Sequence, residues 1–200
     1  MKENMNKKTD SELFIGYSQG DESAFREIVE RYKDSLYSFL RRFLNRHDLV
    51  EDVFQETFLQ LYSSRESFDL EKPLRPWLFT IAANKARDAL RKKQRTSATS
   101  VGVMSDSAEI SVDDVLNIIS SYETTPYDEI EREETQENVR KIISEMPENL
   151  KEILILAYFE QFSYKQMAEM LSIPIGTVKS RLHTAVGYFT KKWKSLIIEE

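Results

Sequence analysis

The 200-residue sequence contains no cysteine, two histidines, and only five residues each of glycine and proline. The absence of cysteine excludes disulfides and thiolate metal sites. The N-terminal stretch MKENMNKKTD lacks the apolar core of a signal peptide. No apolar run approaches the roughly 20 residues that a membrane-spanning helix needs. We therefore expect a soluble, cytoplasmic protein that does not insert into a membrane.

Charge is distributed unevenly along the chain, although the net charge is only −6. Between Lys72 and Arg95, eight basic residues accompany a single acidic one. From Ser97 to Asn138, eleven acidic residues accompany one arginine, and the sequence after Ser163 is mildly basic again. An acidic segment thus separates two basic blocks. This arrangement is compatible with a nucleic-acid partner, which the net charge alone would argue against.

Apolar residues recur at helical spacing in nearly every patterned stretch, and we find no convincing alternation typical of strands. The first half predicts four helices, of which the first is capped near Thr9 or Asp10 and stopped at Gly20. The other three are predicted over residues 22–45, 48–62 and 75–95.

Four more helices are predicted in the second half of the chain. One covers residues 129–145, and the others begin at Pro147, Ser163 and Pro174. The predicted fold class is therefore all-α, with two small helical domains at residues 9–96 and 128–195. Residues 97–127 are rich in Ser, Thr and Asp and predict a flexible acidic linker, within which DDVLNIIS could form a short helical turn.

The stretch SYKQMAEMLSIPIGTVKSRL, from Ser163 to Leu182, fits a helix-turn-helix. Ala168 supplies the small side chain needed where two helices cross, whereas Ser172 replaces the glycine common in the turn. The second helix has an apolar face, and its opposite face carries short polar and cationic side chains suited to a major groove. A solvated helix in a three-helix bundle is the alternative. The exposed candidates are Gly176, Thr177, Lys179, Ser180, Arg181 and His183, with Tyr164 on the preceding helix.

The helix predicted over residues 75–95 has an apolar face and a cationic stripe that includes Trp77 and Asn84. An indole can stack on a base, an amide can bond base edges, and arginines can hold phosphates, so the stripe suits single-stranded or opened DNA. In the alternative interpretation Trp77 folds back onto Phe68 or the first helix, and the charges are merely solvated. The candidates on this helix and its preceding loop are Phe68, Lys72, Arg75, Trp77, Asn84, Arg87, Asp88, Arg91 and Arg95.

The helix predicted over residues 48–62 exposes carboxylates around a leucine, a pattern that favours docking to a basic helix of another protein. A plain solvated acidic surface is the alternative. A metal site is disfavoured because His47 is the only nearby histidine and no Glu-x-x-His pair occurs. The docking candidates are Asp48, Asp52, Gln55, Glu56 and Leu59.

Three segments together resemble the extracytoplasmic-function group of bacterial RNA polymerase sigma factors, in the sigma-70 family. They are EDVFQETFLQLY, RPWLFTIAANKARDALRKKQR and EMPENLKEILILAYFEQFSYKQMAEMLSIPIGTVKSRLHTA. Their order and spacing extend the resemblance from about Asp10 to Trp193, except for the linker. The resemblance implies that residues 9–96 are sigma region 2 and residues 128–195 are sigma region 4, in a factor that directs promoter-specific transcription initiation.

The resemblance also implies roles for the three candidate surfaces. The docking candidates would bind the β′ coiled coil of core RNA polymerase, and region 4 would also meet the β flap. The cationic helix and its loop would bind and open the minus-ten element, and the helix-turn-helix would read the minus-thirty-five element. The acidic linker would run toward the RNA exit path, and an anti-sigma factor would hold the protein inactive.

Two other classes of function, a conventional transcription regulator and an enzyme, fit the sequence less well. A helix-turn-helix regulator with an N-terminal dimerisation domain would leave the stripe around Trp77 and Asn84 without a role. An enzyme would need a nucleophile and base, a phosphate loop or a metal cluster, and we find none of these, so we predict no catalytic activity, metal or cofactor. We also expect the free chain to bind DNA weakly, because the acidic linker can compete with phosphates for the basic faces.

Overall fold

The computed structural model describes residues 8–65, 68–94 and 129–198, and every regular element within these ranges is a helix. The predicted all-α class is thereby confirmed. The predicted linker, including DDVLNIIS, lies outside the described residues, as does Arg95. The N-terminal unit contains α1 (Asp10–Ser18), α2 (Glu22–Leu44), α3 (His47–Ser63) and α4 (Leu74–Gln94).

The C-terminal unit contains four further helices, and the two units pack against each other. They are α5 (Glu129–Glu145), α6 (Glu148–Leu154), α7 (Tyr164–Leu171) and α8 (Ile175–Ile198). A π-helical turn, Ile155–Phe159, continues α6.

Local hydrogen bonds account for the helix starts that the sequence predicts. Thr9 and Glu12 form a capping box, in which the Thr9 hydroxyl accepts from the Glu12 amide and the Glu12 carboxylate accepts from the Thr9 amide. Ser163 and Gln166 repeat this arrangement at α7. Each box satisfies amide donors that a helix start leaves unpaired. Gly20 adopts φ 103°, a left-handed conformation that allows the sharp turn between α1 and α2.

The core of the N-terminal unit is built around the apolar stripe of α2. Leu36, Phe39 and Leu40 are fully buried, and the ring centroids of Phe39 and Phe79 lie 5.4 Å apart. Burying an aromatic or aliphatic side chain of this size contributes about 1.5–3 kcal/mol. This packing fixes α4 against α2, so that the opposite side of α4 is available for other contacts.

The C-terminal unit is organised by α8, which packs on α6 and α7. Val178 and Phe189 of α8 and Ile153 of α6 are completely buried. Ser172 connects α7 to α8 with φ 53° and ψ 45°, in the left-handed region. The turn therefore has the geometry that glycine usually provides, but with a side chain that makes this conformation unfavourable.

Replacing Ser172 with glycine is expected to stabilise the C-terminal unit. Relief of the left-handed strain, less the entropy that glycine adds to the unfolded chain, leaves a gain of about 0.5–1 kcal/mol. Thermal unfolding followed by circular dichroism should show the midpoint rising by several degrees, since about 1 kcal/mol shifts a small domain by roughly 4–8 °C. Ser195→Gly, in the exposed helical part of α8, is the control and should lower the midpoint. A lower midpoint for Ser172→Gly would contradict the strain at this turn.

Candidate nucleic-acid interface

The helix α4 has the two faces that the sequence predicts. Leu78, Phe79 and Ala82 are completely buried, whereas Asn84 and Arg91 are exposed. The buried face locks the helix onto the core of the N-terminal unit. Its exposed polar side is thus presented on a rigid support, as a nucleic-acid contact surface requires.

Polar contacts within this exposed side hold several of the predicted DNA-binding residues in place. Arg87 donates a hydrogen bond to the side-chain oxygen of Asn84, and Arg91 lies 3.7 Å from Asp88. In the preceding loop, Lys72 lies 3.8 Å from Asp69 and is exposed. These weak, exposed ion pairs leave the cations accessible to phosphate.

Trp77 is only partly exposed, because its indole packs on other aromatic rings. Its ring centroid lies 4.5 Å from that of Phe68 and 6.2 Å from that of Phe14 in α1, with the second pair perpendicular. The alternative in which Trp77 folds back onto Phe68 or the first helix therefore describes this conformation. Contact of Trp77 or Phe68 with a base stays a prediction.

Arg75 and Arg87 contact carboxylates of the C-terminal unit, which the sequence did not predict. Arg75 donates one hydrogen bond of 2.8 Å to the backbone oxygen of Glu160 and another of 3.0 Å to its carboxylate. The Arg87 Nε lies 3.7 Å from the carboxylate of Glu152. Both glutamates are buried, at 4% relative exposure. Their position within the largely apolar run EILILAYFEQF was the one signal available beforehand, because buried carboxylates need a cationic or hydrogen-bonding partner.

Glu152 is in an environment that disfavours its charge. Burial raises the pKa of the Glu152 carboxyl to about 7, and the nearby cations Arg87 and Arg181 only partly oppose this effect. None of the described residues forms a hydrogen bond with the Oε1 atom of Glu152. Desolvation therefore outweighs the attraction to Arg87, and the ionised form is strained at neutral pH.

The predicted recognition helix presents its polar side chains to solvent. In α8, Val178, Leu182 and Ala185 are buried, and the polar residues of the first turns lie on the other side. A Cβ added to Gly176 would meet no atom of the described residues within 4 Å apart from its chain neighbours and the backbone of its own helix, so the first turn is open to a neighbouring molecule. The exposed members of the predicted set are Tyr164, Gly176, Lys179, Ser180 and His183, while Thr177 and Arg181 are half-buried.

The predicted docking surface lies on α3, with all five of its members exposed. Leu59 has 65% of its surface accessible, which is the largest value among the exposed large apolar residues of the described chain. Arg46 pairs with Asp48, and Lys85 of α4 lies 3.3 Å from Glu56. Asp52 has no ion pair within the described ranges, so its charge is available to a partner.

The described residues contain neither a membrane-spanning helix nor a metal-ligating cluster. None of their helices is long and apolar enough to cross a membrane. Within the same part of the chain, no group of three or more His, Cys, Asp or Glu residues is placed to hold a metal ion.

Comparison with known proteins connects these two units to one family. Residues 28–96 match the model of sigma-70 region 2, and residues 136–186 match that of sigma-70 region 4. The chain is 34% identical over 189 residues to the ECF RNA polymerase sigma-E factor of Haemophilus influenzae, covering 94% of this chain and 97% of that one. The chain belongs to the ECF group of RNA polymerase sigma factors. The resemblance inferred from its three sequence segments is confirmed.

Other relatives of this ECF sigma factor support the same grouping. The ECF RNA polymerase sigma factor SigW of Bacillus subtilis is 30% identical over 183 residues, covering 89% of this chain and 93% of that one. A solved structure of the sigma factor RpoE with the anti-sigma factor NepR from Bartonella quintana superposes with a TM-score of 0.64 at 25% identity, covering 85% of this chain and 96% of that one. CnrH in complex with the cytosolic domain of CnrY has the same fold, with a TM-score of 0.67 at 21% identity over 94% and 99% of the chains.

Proposed function

We propose that this sigma factor binds core RNA polymerase through α3 and directs it to promoters that its two helical units recognise. The observation that carries the proposal is the pair of polar surfaces on α4 and α8, each backed by a buried face and lying in different units. Two short promoter elements a fixed distance apart require two such surfaces. The domain boundaries at residues 9–96 and 128–195 belong to the same proposal.

The N-terminal unit would bind and open the minus-ten element. Its basic side chains would neutralise phosphates, and Asn84 would form hydrogen bonds with base edges exposed on strand opening. No covalent chemistry is needed, because capture of unstacked bases contributes about 1–3 kcal/mol per base. The protein would therefore act as a binding subunit and not as an enzyme.

The C-terminal unit would read the minus-thirty-five element with the first turns of α8. Lys179 and Ser180 are exposed there, beside the open surface at Gly176. Direct readout in the major groove uses such short donors and cations near the start of a recognition helix. Arg181, at the half-buried margin, would reach the phosphate backbone.

The partners follow from this role. The protein would act in the cytoplasm with core polymerase, docking on the β′ coiled coil through α3 and on the β flap through its C-terminal unit. The RpoE structure contains an anti-sigma factor, and we infer that a comparable inhibitory protein controls this chain.

The experiment that tests this function begins with core polymerase reconstituted with the chain and a genome-wide map of transcript starts. A new set of start sites that shares two upstream elements would support the proposal. No change in initiation would contradict it.

Variants then separate the two DNA-binding surfaces on one promoter from that set. Lys179→Ala is expected to weaken recognition of the upstream element about fivefold to tenfold, corresponding to about 1–1.4 kcal/mol for a lost base contact. Asn84→Ala is expected to leave upstream binding intact and to reduce the permanganate reactivity of melted thymines. Footprinting and permanganate probing measure the two effects.

Matched controls are available for both changes. Lys194→Ala removes an exposed lysine from the far end of α8, and Asn149→Ala removes an exposed asparagine from α6. Both controls should behave as the unmodified protein. Equal loss of upstream binding and strand opening in both test variants would refute the division of roles between α4 and α8.

A further inference from the structure

A cleft between α2 and α5 is lined by four arginines. Its volume is about 480 Å³, which is in the range of small-molecule sites, about 300–1,000 Å³. Arg41 and Arg42 come from the last turn of α2, Arg46 directly precedes α3, and Arg140 comes from α5 in the other unit. No aspartate or glutamate of the described residues lines the cleft. Several permanent positive charges therefore face one small volume.

Three of these guanidinium groups keep their charge available. Arg41, Arg42 and Arg140 have no ion pair within the described ranges. Arg140 donates one hydrogen bond of 3.3 Å to the side-chain oxygen of Gln136, and the Arg42 guanidinium lies 4.3 Å from the ring centroid of Phe159. A neutral amide and an aromatic ring leave further N–H groups free to donate to an anion.

The nearby carboxylates at the start of α3 have partners of their own. Arg46 pairs with Asp48, and both side chains are exposed. Glu51 accepts a hydrogen bond of 2.7 Å from the Tyr37 hydroxyl and lies 4.0 Å from the Nδ1 atom of His47. These contacts offset part of the positive charge at one end of the cleft. Neither carboxylate lines it, so the charge of the other three arginines is not neutralised there.

Apolar walls strengthen the electrostatic effect of these arginines. Val50, Val139 and Ile143 are buried and line the cleft. Charges beside poorly hydrated surface repel one another and attract an anion more strongly than charges in bulk water do. Helix-dipole stabilisation explains cations in the last turn of α2, but it gives no reason for Arg140, which lies before the last turn of α5.

We propose that this cleft binds a small anion that carries a diphosphate group, held by guanidinium groups of both units at once. The forked N–H groups of arginine bind phosphate oxygens in pairs. One phosphate group carries about −1.5 to −2 charges at pH 7, so two phosphates balance four arginines better than one does. Free inorganic diphosphate and a nucleoside diphosphate both present this group.

The diphosphate site is separate from the surfaces assigned to promoter DNA and to polymerase. None of the residues that line the cleft belongs to the proposed DNA-binding or docking sets. Loss of either proposed role for α4 or α8 would therefore leave this site in place, and its absence would leave those roles untouched.

Isothermal titration calorimetry of the full-length chain, without divalent cations, tests the site. The probes are sodium pyrophosphate and ADP, with sulfate and adenosine for comparison. Both diphosphates are expected to bind at one site per chain, at least about tenfold more tightly than sulfate, and adenosine should not bind. Tighter binding of ADP than of pyrophosphate would assign the site to nucleotides, whereas equal or weaker binding of ADP would assign it to the free diphosphate anion.

Paired charge removal identifies the cleft as the place of binding. The double variant Arg41→Gln with Arg140→Gln is expected to bind pyrophosphate at least about tenfold more weakly than the unmodified protein. Arg26→Gln with Lys141→Gln is the matched control, because it removes the same charge from exposed positions of α2 and α5 outside the cleft. The control should bind within about twofold of the unmodified protein, since distant surface charges are screened by salt. Arg41→Gln and Arg140→Gln should each weaken binding when made singly, by about threefold or more.

Thermal unfolding without ligand separates lost binding from misfolding. The midpoint of Arg41→Gln with Arg140→Gln should equal or exceed that of the control, because repulsion within the cleft has been relieved. A lower midpoint would contradict that repulsion.

Four results would overturn the diphosphate site. They are binding of neither diphosphate above the level of sulfate, equal binding by the test and control double variants, an effect of only one of the two single changes, and loss of single-stranded oligonucleotide binding in the test variant without any binding of pyrophosphate. The third would confine the anion to one unit, and the fourth would assign the cleft to a nucleic-acid backbone.

Discussion

Replacing Asp52 with arginine is expected to weaken the binding of this sigma factor to core polymerase by at least about tenfold, or about 1.4 kcal/mol. Asp52 is exposed on α3 beside Leu59 and has no ion pair within the described part of the chain. Reversal of its charge would place a cation against a basic helix of the partner. Titration of labelled protein with core polymerase, followed by fluorescence anisotropy, measures the change.

Asp34→Arg is the matched control for this prediction. Asp34 is also exposed, but it lies on α2, outside the proposed docking surface. It should leave polymerase binding unchanged. If Asp52→Arg binds as well as Asp34→Arg does, α3 is not the docking surface. Promoter preference of the fraction of Asp52→Arg that binds should remain that of the unmodified protein.

The second large effect concerns Glu152, whose replacement by glutamine is expected to stabilise the protein at pH 8. The pKa of this carboxyl is about 7 in the folded protein against an ordinary value of 4.5. Such a difference corresponds to about 3 kcal/mol of unfavourable free energy for the ionised form. Glutamine has the same shape and no charge, so it removes this cost.

The sign of the pH dependence follows from which state holds the proton more tightly. The folded protein does, because burial raises the pKa of Glu152. The contribution of Glu152 to stability is therefore most favourable below pH 4.5 and becomes less favourable as the pH rises from about 4.5 to about 7. The advantage of Glu152→Gln should be small at pH 5 and reach its full value at pH 8.

Urea unfolding at pH 5 and pH 8 measures this difference in free energy. Glu145→Gln is the control because it makes the same change at an exposed site. The change in free energy of unfolding caused by Glu145→Gln should be no larger at pH 8 than at pH 5. A Glu152→Gln variant that is less stable than the unmodified protein at pH 8 would mean that the attraction to Arg87 outweighs desolvation.

Much of the fold could be predicted because its signals are local. The capping boxes at Thr9 and Ser163, the left-handed turn at Gly20 and the apolar stripe of α2 depend on residues close together in sequence. The observed helices begin within one residue of the predicted positions, and those whose ends were predicted end within two residues of them. The π-helical turn at Ile155–Phe159, which continues α6, was not predicted. That turn has no distinct periodic signature in so short a segment.

The candidate surfaces were predictable for the same reason. Helical periodicity separates buried from exposed positions, so the exposure of Asp52, Asn84 and Lys179 followed from spacing alone. The orientation of Trp77 did not, because both stacking on DNA and packing on Phe68 satisfy the same pattern. The position of α1 and of the loop that precedes α4 decides between these two orientations of Trp77.

By itself, the sequence determined that this is an all-α protein of two units in the ECF sigma factor group, with one polar surface on each of α3, α4 and α8. The contacts of Arg75 with Glu160 and of Arg87 with Glu152 were decided only by the tertiary structure. These partners are 85 and 65 positions apart, respectively. Helix periodicity extends over a few turns, whereas pairing across such separations depends on how two complete units pack.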